Sequence, residues 1–270
     1  MPFIKNEDNN LVYYTIESFE KTDLVKHGFS TRLGGVSTGN LNSLNLGVKK
    51  KDTRENILNN YKIFTKSLGI NIENLVLTHQ VHKDNIMEVD EEDRGKGLTR
   101  ETDIVDTDGF ITNKRKVALV TFYADCVPLF FLDPVNKAIG LTHAGWKGTV
   151  SKIGQKTLKK MIKTYGTNPN DILIGIGPSI GKCCFEVGEE VIEVINEKFA
   201  NAKDYFYKKD NGKFMLDLWA LNKDQFIEMG VLEENITVSN ICTKCNKDIF
   251  FSHRGDNKKT GSLAAIMELK

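Results

Sequence analysis

The 270 residues carry 37 basic and 36 acidic side chains, a formal net charge of +1, and 40% apolar residues. That balance gives no electrostatic support for nucleic acid or an anionic membrane as a partner, while the apolar content suffices for a real core. No apolar run approaches the roughly 20 residues that span a bilayer, and MPFIKNEDNN has no signal-peptide core. The expectation is a cytoplasmic protein whose five cysteines are reduced or metal-bound rather than a disulfide framework.

In chain order, two strands come first, LVYYTI (11–16) and VKHGFSTR (25–32). The Gly/Ser/Asn loop at 33–47 is able to bring backbone N–H groups close to a ligand. Asp52 and Glu55 resemble a capping box for a helix with apolar positions Ile57, Leu58, Tyr61, Phe64 and Leu68, closed by Gly69. Strands LVLTHQVH (75–82) and NIMEV (85–89) follow, then a charged loop over 90–103 and a strand entry at 108–112.

The centre of the pattern is 118–149. Its apolar runs Ala118–Tyr123, Val127–Leu132 and Ala138–Leu141 read as strands buried on both faces and folded into a hairpin. A helix is expected from about Val150 to Tyr165, with Ile153, Leu158, Met161 and Ile162 on its apolar face and Gly166 closing it. Beyond it come a strand into a Gly-rich turn (172–181), a helix (188–200) and a hairpin around Asn211-Gly212. Asp217 caps a helix over 218–230, and the tail reads as strand, cysteine loop, strand, loop, strand. With no repeat and no linker, the count is one α/β (α+β) domain over 1–270, a mixed sheet or sandwich with helices outside.

Chemistry gathers at the strand ends. His79 and His82 bracket Gln80, Cys126 follows Asp125 at a strand break, and His143 stands in Thr-His-Ala-Gly-Trp before a helix. Two imidazoles and a thiolate suit zinc, with three tetrahedral ligands and an open fourth position. The same set suits copper with a weak axial ligand, or, without metal, a Cys126–His143 nucleophile pair in a hydrolase or amidase. Residue types alone leave the three open. Lys147, at the start of the expected helix, Arg32 and Arg254 are candidate anion contacts. Asp108 and Asp125 are possible proton carriers, though isolated Asp residues more often serve turns. The Gly-rich GIGPSIG (175–181) does not match a dinucleotide fingerprint. Cys242-x-x-Cys245 with Cys183-Cys184 could make a structural zinc site, but the four read first as buried or loop thiols without metal, because no second CxxC or CxxH exists.

Taken together, HGFSTRLGGVS, SLNLG, LTHQVH, TDGFIT, YADCVPLFFLD, GLTHAGWKGT, IGPSIGKCCFEV, CTKC and SHRGDNKKTG closely resemble the YfiH-like, or laccase-domain (polyphenol oxidase), family of purine nucleoside phosphorylases. The resemblance covers roughly 27–266. It implies a mixed β-sandwich with helices, similar to the catalytic domain of cytotoxic necrotising factors. It implies zinc held by His82, Cys126 and His143, choosing His82 over His79. It also implies phosphorolysis of adenosine, inosine and methylthioadenosine, and deamination of adenosine. Arg32 and Asn45 match pocket-lining positions, with Gln80, Asp125 and Lys147 as further substrate-site candidates. Gly255 and Ser262 stand where family members often carry arginine, which shifts expected phosphate contacts toward Arg32 and Lys147. A true multicopper laccase needs on the order of ten histidines, and this chain has five. A one-copper oxidase stays an alternative, and oligomeric state is not encoded legibly.

Overall fold

In the computed structural model, which describes residues 2–270, two six-stranded sheets pack face to face. The first runs in the order Phe3–Asp8, Leu11–Ile16, Val25–Ser30, Leu263–Leu269, Ala118–Tyr123, Leu75–Leu77. The second runs Ile236–Val238, Leu173–Ile176, Val127–Asp133, Ala138–Ala144, Gly109–Thr112, Ile86–Glu88. Most pairings are antiparallel; three edge pairings are parallel. A three-stranded sheet, Glu186–Val187, Phe214–Leu216 and Phe206–Lys208, lies apart and uses the turn at Asn211-Gly212.

Side-chain alternation explains the layering. Along Ala118–Tyr123, Leu119 and Tyr123 point into the sandwich beside Phe29, Phe130 and Met267. Ala118 and Val120 point the other way, onto Tyr61 and Phe64 of the helix Arg54–Leu68. Along Val127–Asp133, Phe130 and Leu132 face the sandwich, while Val127, Leu129 and Phe131 face the helices Ile153–Tyr165, Glu189–Lys198 and Leu218–Ile227. Strands covered on both faces read as unbroken apolar runs, and the result is a mixed α/β fold of two sheets between helices. Among the described residues, no helix is long and apolar enough to cross a membrane.

The structure corrects several expectations. Ala118–Tyr123 and Val127–Asp133 are not a hairpin: the chain leaves the first sheet at Ala124 and enters the second at Val127. The hairpin is Val127–Asp133 with Ala138–Ala144. The helix after His143 is broken: Trp146–Val150 ends, Lys152 adopts φ +61°, and Ile153–Tyr165 begins a separate helix. Thr53, not Asp52, caps Arg54–Leu68, accepting the Asn56 N–H at 3.1 Å. Asp52 is drawn away by Ser37 (2.6 Å) and Asn45 (2.9 Å), which tie the Gly/Ser loop to the helix. The tail run at Phe250-Phe251 forms no strand; both rings are fully buried core side chains on irregular backbone between two turns. The polar segment Phe3–Asp8 is a strand after all, an edge recruited by six register pairs with Leu11–Ile16.

His27 is buried in the first sheet, where its Nε2 accepts the Ile16 N–H at 2.7 Å. Its Nδ1 lies 3.6 Å from Glu20 Oε1. Burial, with help from the Lys270 charge, pushes its pKa down to about 3. The unfolded chain binds this proton near pH 6.5 and the folded chain does not. Stability is therefore lost as pH falls from about 6.5 toward 3. Between pH 7 and 5 the expected loss is about 2 kcal/mol. Urea unfolding at both pH values should show His27→Gln less pH-sensitive by about that amount; equal sensitivity would contradict it.

Candidate metal centre

The passage between the sheets sets the position of Cys126. Asp125 takes φ +89°, and Val127 then pairs with Ala144 while Pro128 pairs with His143. Cys126 thereby stands opposite Gly145, beside the His143 ring. His82 arrives from the turn after Leu75–Leu77, itself at φ +62°. One ligand atom from each of His82, Cys126 and His143 lies within 4.8 Å of the other two. The space between them is kept open by Gly145: a Cβ there would sit 3.2 Å from Cys126 Sγ, 3.4 Å from His82 Cδ2 and 3.8 Å from His143 Cε1.

Asp108 holds two of the three in place. It is fully buried and accepts N–H bonds from Val81 (3.1 Å), His82 (2.9 Å) and Lys83 (2.9 Å). Its Oδ1 also meets His143 Nδ1 at 3.0 Å. Occupying Nδ1 leaves Nε2 as the nitrogen available to a metal, the carboxylate–histidine arrangement that orients a metal ligand. Burial raises the Asp108 carboxyl, but the His143 bond and the backbone N–H groups outweigh it and hold the group below its ordinary value. Burial also pushes the Cys126 thiol up, and the His143 and His82 imidazoles more than reverse this, to about 6. For His143, burial acts downward, and Cys126 with Asp108 raises it to about 9. Each of the two groups thus favours the charged form of the other. Two imidazoles and a soft thiolate, preorganised around a gap that one added carbon would fill, fit a tetrahedral cation.

The three residues open onto a cavity of roughly 320 Å³, within the range of small-molecule sites. Phe122, Tyr123 and Val48 give it apolar walls, and Gln80, Lys49, Lys50 and His253 supply polar groups.

A family model described as multi-copper polyphenol oxidoreductase laccase matches residues 26–270. The chain belongs to this laccase-domain family. The purine nucleoside phosphorylase YlmD of Bacillus subtilis is 36% identical to this laccase-domain chain over 244 residues, covering 90% of this chain and 88% of YlmD. The adenosine deaminase RL5, from an unknown prokaryotic organism, is 31% identical over 243 residues, covering 87% and 92%. The crystal structure of the Bacillus licheniformis hypothetical protein YfiH superposes with a TM-score of 0.93 at 35% identity, covering 100% of this chain and 99% of the other.

Against the expected site residues, the laccase-domain fold separates two groups. Gln80 lines the cavity, its amide clamped by the Phe122 backbone (Oε1 accepts at 2.6 Å, Nε2 donates at 2.9 Å). Asn45 is fully buried beneath it, accepting the Ser262 N–H at 3.0 Å, and so shapes the wall formed by Gly47 and Ser262. Asp125 is buried behind Cys126, bonded to Thr243 Oγ1 (2.6 Å) and the Arg254 N–H (2.7 Å). Arg32 does not line the cavity: it donates to the Asn42 and Lys247 carbonyls at 3.0 Å and covers the Phe251 ring. Lys147 is exposed, over Trp146, and likewise outside it. Two lysines that sequence reasoning passed over, Lys49 and Lys50 just after the Gly/Ser/Asn loop, do line the cavity. His79 turns away and accepts the Asp106 N–H at 3.3 Å.

Proposed function

We propose that this chain is a zinc-dependent purine nucleoside enzyme, a phosphorylase that also deaminates adenosine, working in the cytoplasm. The observation that carries the reading is the convergence of His82, Cys126 and His143 on a cavity with an aromatic wall and two lysines. The names of the relatives, purine nucleoside phosphorylase and adenosine deaminase, support the substrate class. Residues 1–270 then act as one catalytic domain.

His82, Cys126 and His143 would hold the zinc. Zinc, when bound, would supply Lewis-acid polarisation and lower the pKa of water. Asp108 keeps His143 in one tautomer and orientation. Phe122 and Tyr123 exclude water from the base and offer it a flat apolar surface. In phosphorolysis, phosphate attacks C1′ as the base leaves, so the protein must hold an anion beside an oxocarbenium-like centre. Lys49 and Lys50 line the cavity and would meet that anion, whose charge would in turn favour the Lys50 ammonium that burial disfavours. In this account Lys50→Ala raises KM for phosphate about tenfold and leaves deamination near wild type. Equal losses in both reactions would contradict the assignment.

Although the matching family model is described as a multi-copper oxidoreductase, the five histidines fall short of the roughly ten a multicopper oxidase needs, and His27 is committed to the first sheet. A metal-free cysteine hydrolase has one observation in its favour, the lowered Cys126 thiol beside an Asp108-oriented His143. Feeding purified protein adenosine separates the readings. Adenine plus ribose 1-phosphate with phosphate, and inosine without it, both abolished by a chelator and restored by zinc, are expected. Metal-replete protein that turns over neither adenosine, inosine nor methylthioadenosine would sink the proposal.

A further inference from the structure

We propose that Cys183, Cys184, Cys242 and Cys245 form a second, structural zinc site that clamps the turn after Leu173–Ile176 to the tail. The four thiols are free, and their sulfurs lie within 4.8 Å of one another, with Cys245 Sγ 3.5 Å from both Cys183 and Cys184. Four thiolates around zinc at about 2.3 Å stand about 3.8 Å apart, so these spacings already approximate the shell. A disulfide would need about 2.05 Å.

Two turns build the cluster. Cys184 and Phe185 both donate N–H bonds to the Gly181 carbonyl (2.9 and 3.0 Å), curling the adjacent cysteines to one side. Asn246 N–H returns to the Cys242 carbonyl at 3.1 Å, which makes Cys242-x-x-Cys245 a compact turn. The turns are held together before any metal binds: Ser179 donates to Ile241 O at 3.2 Å, and Thr243 donates to Ser179 O at 3.0 Å. The Gly181 N–H reaches Cys242 Sγ at 3.3 Å and fixes where that sulfur points. Gly181 is required by space, since a Cβ would meet Trp219 at 2.7 Å and Cys242 Cβ at 3.3 Å. Cys183 and Cys245 are exposed, so the ion has an entry path while Cys242 anchors it inside.

The clamp also has a route to the first site. Ile180 N–H bonds the Asp125 carbonyl at 2.9 Å, and Thr243 Oγ1 bonds the Asp125 carboxylate at 2.6 Å. Both clamped turns therefore grip the residue that precedes Cys126. The second zinc would act as a positioning element and not as a catalyst.

The test is the zinc content of the full-length chain, purified reduced, for wild type, Cys126→Ala and the double variant Cys242→Ser/Cys245→Ser. Two equivalents in wild type and one in each variant, with the double variant melting at least about 5 °C lower, is the expected result. One equivalent kept in Cys126→Ala and lost in the double variant supports this site while counting against the first. Zinc that Cys126→Ala removes and the double variant retains overturns the proposal. Should the double variant not fold, cobalt(II) reconstitution of Cys126→Ala decides: the intense charge-transfer bands of a tetrathiolate support the site, and their absence overturns it.

Discussion

Asp108→Asn is expected to weaken metal binding by about 10- to 100-fold, the usual consequence of removing the carboxylate behind a histidine ligand. It is expected to cost about 3 kcal/mol of stability as well. Asp108 is fully buried and both its oxygens accept: Oδ1 from His82 and His143, Oδ2 from Val81 and Lys83. An amide of the same size must turn its NH2 toward one of those donor pairs. Flipping it moves the conflict from one pair to the other without removing it. The His82 turn, at φ +62°, then loses the bonds that hold it in that conformation. Urea unfolding and competition with a chelator measure the two effects separately. A variant with wild-type stability and metal affinity would show that Asp108 is only a turn residue.

Cys126→Ala is expected to lower adenosine turnover on the order of 10³-fold or more, with a small stability cost because little volume is removed. Both the metal reading and the nucleophile reading require that loss, so Cys126→Asp is the informative partner. It keeps an anionic side chain beside His82 and His143, able to ligate zinc, and it has no sulfur to act as a nucleophile. Measurable zinc-dependent turnover in Cys126→Asp is expected. Complete loss in Cys126→Asp with zinc still bound would favour covalent chemistry at sulfur.

The sandwich was legible because strands covered on both faces have no polar face to interrupt them, as in Val127–Asp133. The step between sheets at Asp125 was not, since a crossing to another sheet and a return in the same one use similar short polar breaks; only the partner strands distinguish them. Phe250 and Phe251 misled for the reverse reason: an apolar run in the tail was read as a strand, and its rings are buried without any strand pairing. The metal-site trio came from residue types and from family resemblance, and the structure brings the three together. What binds them was hidden. Asp108 is 26 residues from His82 and 35 from His143, and a lone Asp before Gly109 looks like a turn residue. The same distance problem demoted the four-cysteine cluster to a second choice behind loop thiols, since its halves meet across 61 residues from Cys184 to Cys245. Arg32 and Lys147 were reasonable cations by sequence; tertiary partners claimed the first and solvent the second.

The measurement that bears most directly on the central claim is adenosine turnover by metal-stripped protein as zinc is returned, with phosphate present and absent. The stripped protein should show no turnover. Both reactions should return together as zinc is restored to wild type, and neither should return in His82→Ala or His143→Ala. Full turnover by the stripped protein, or recovery in those variants, would contradict it.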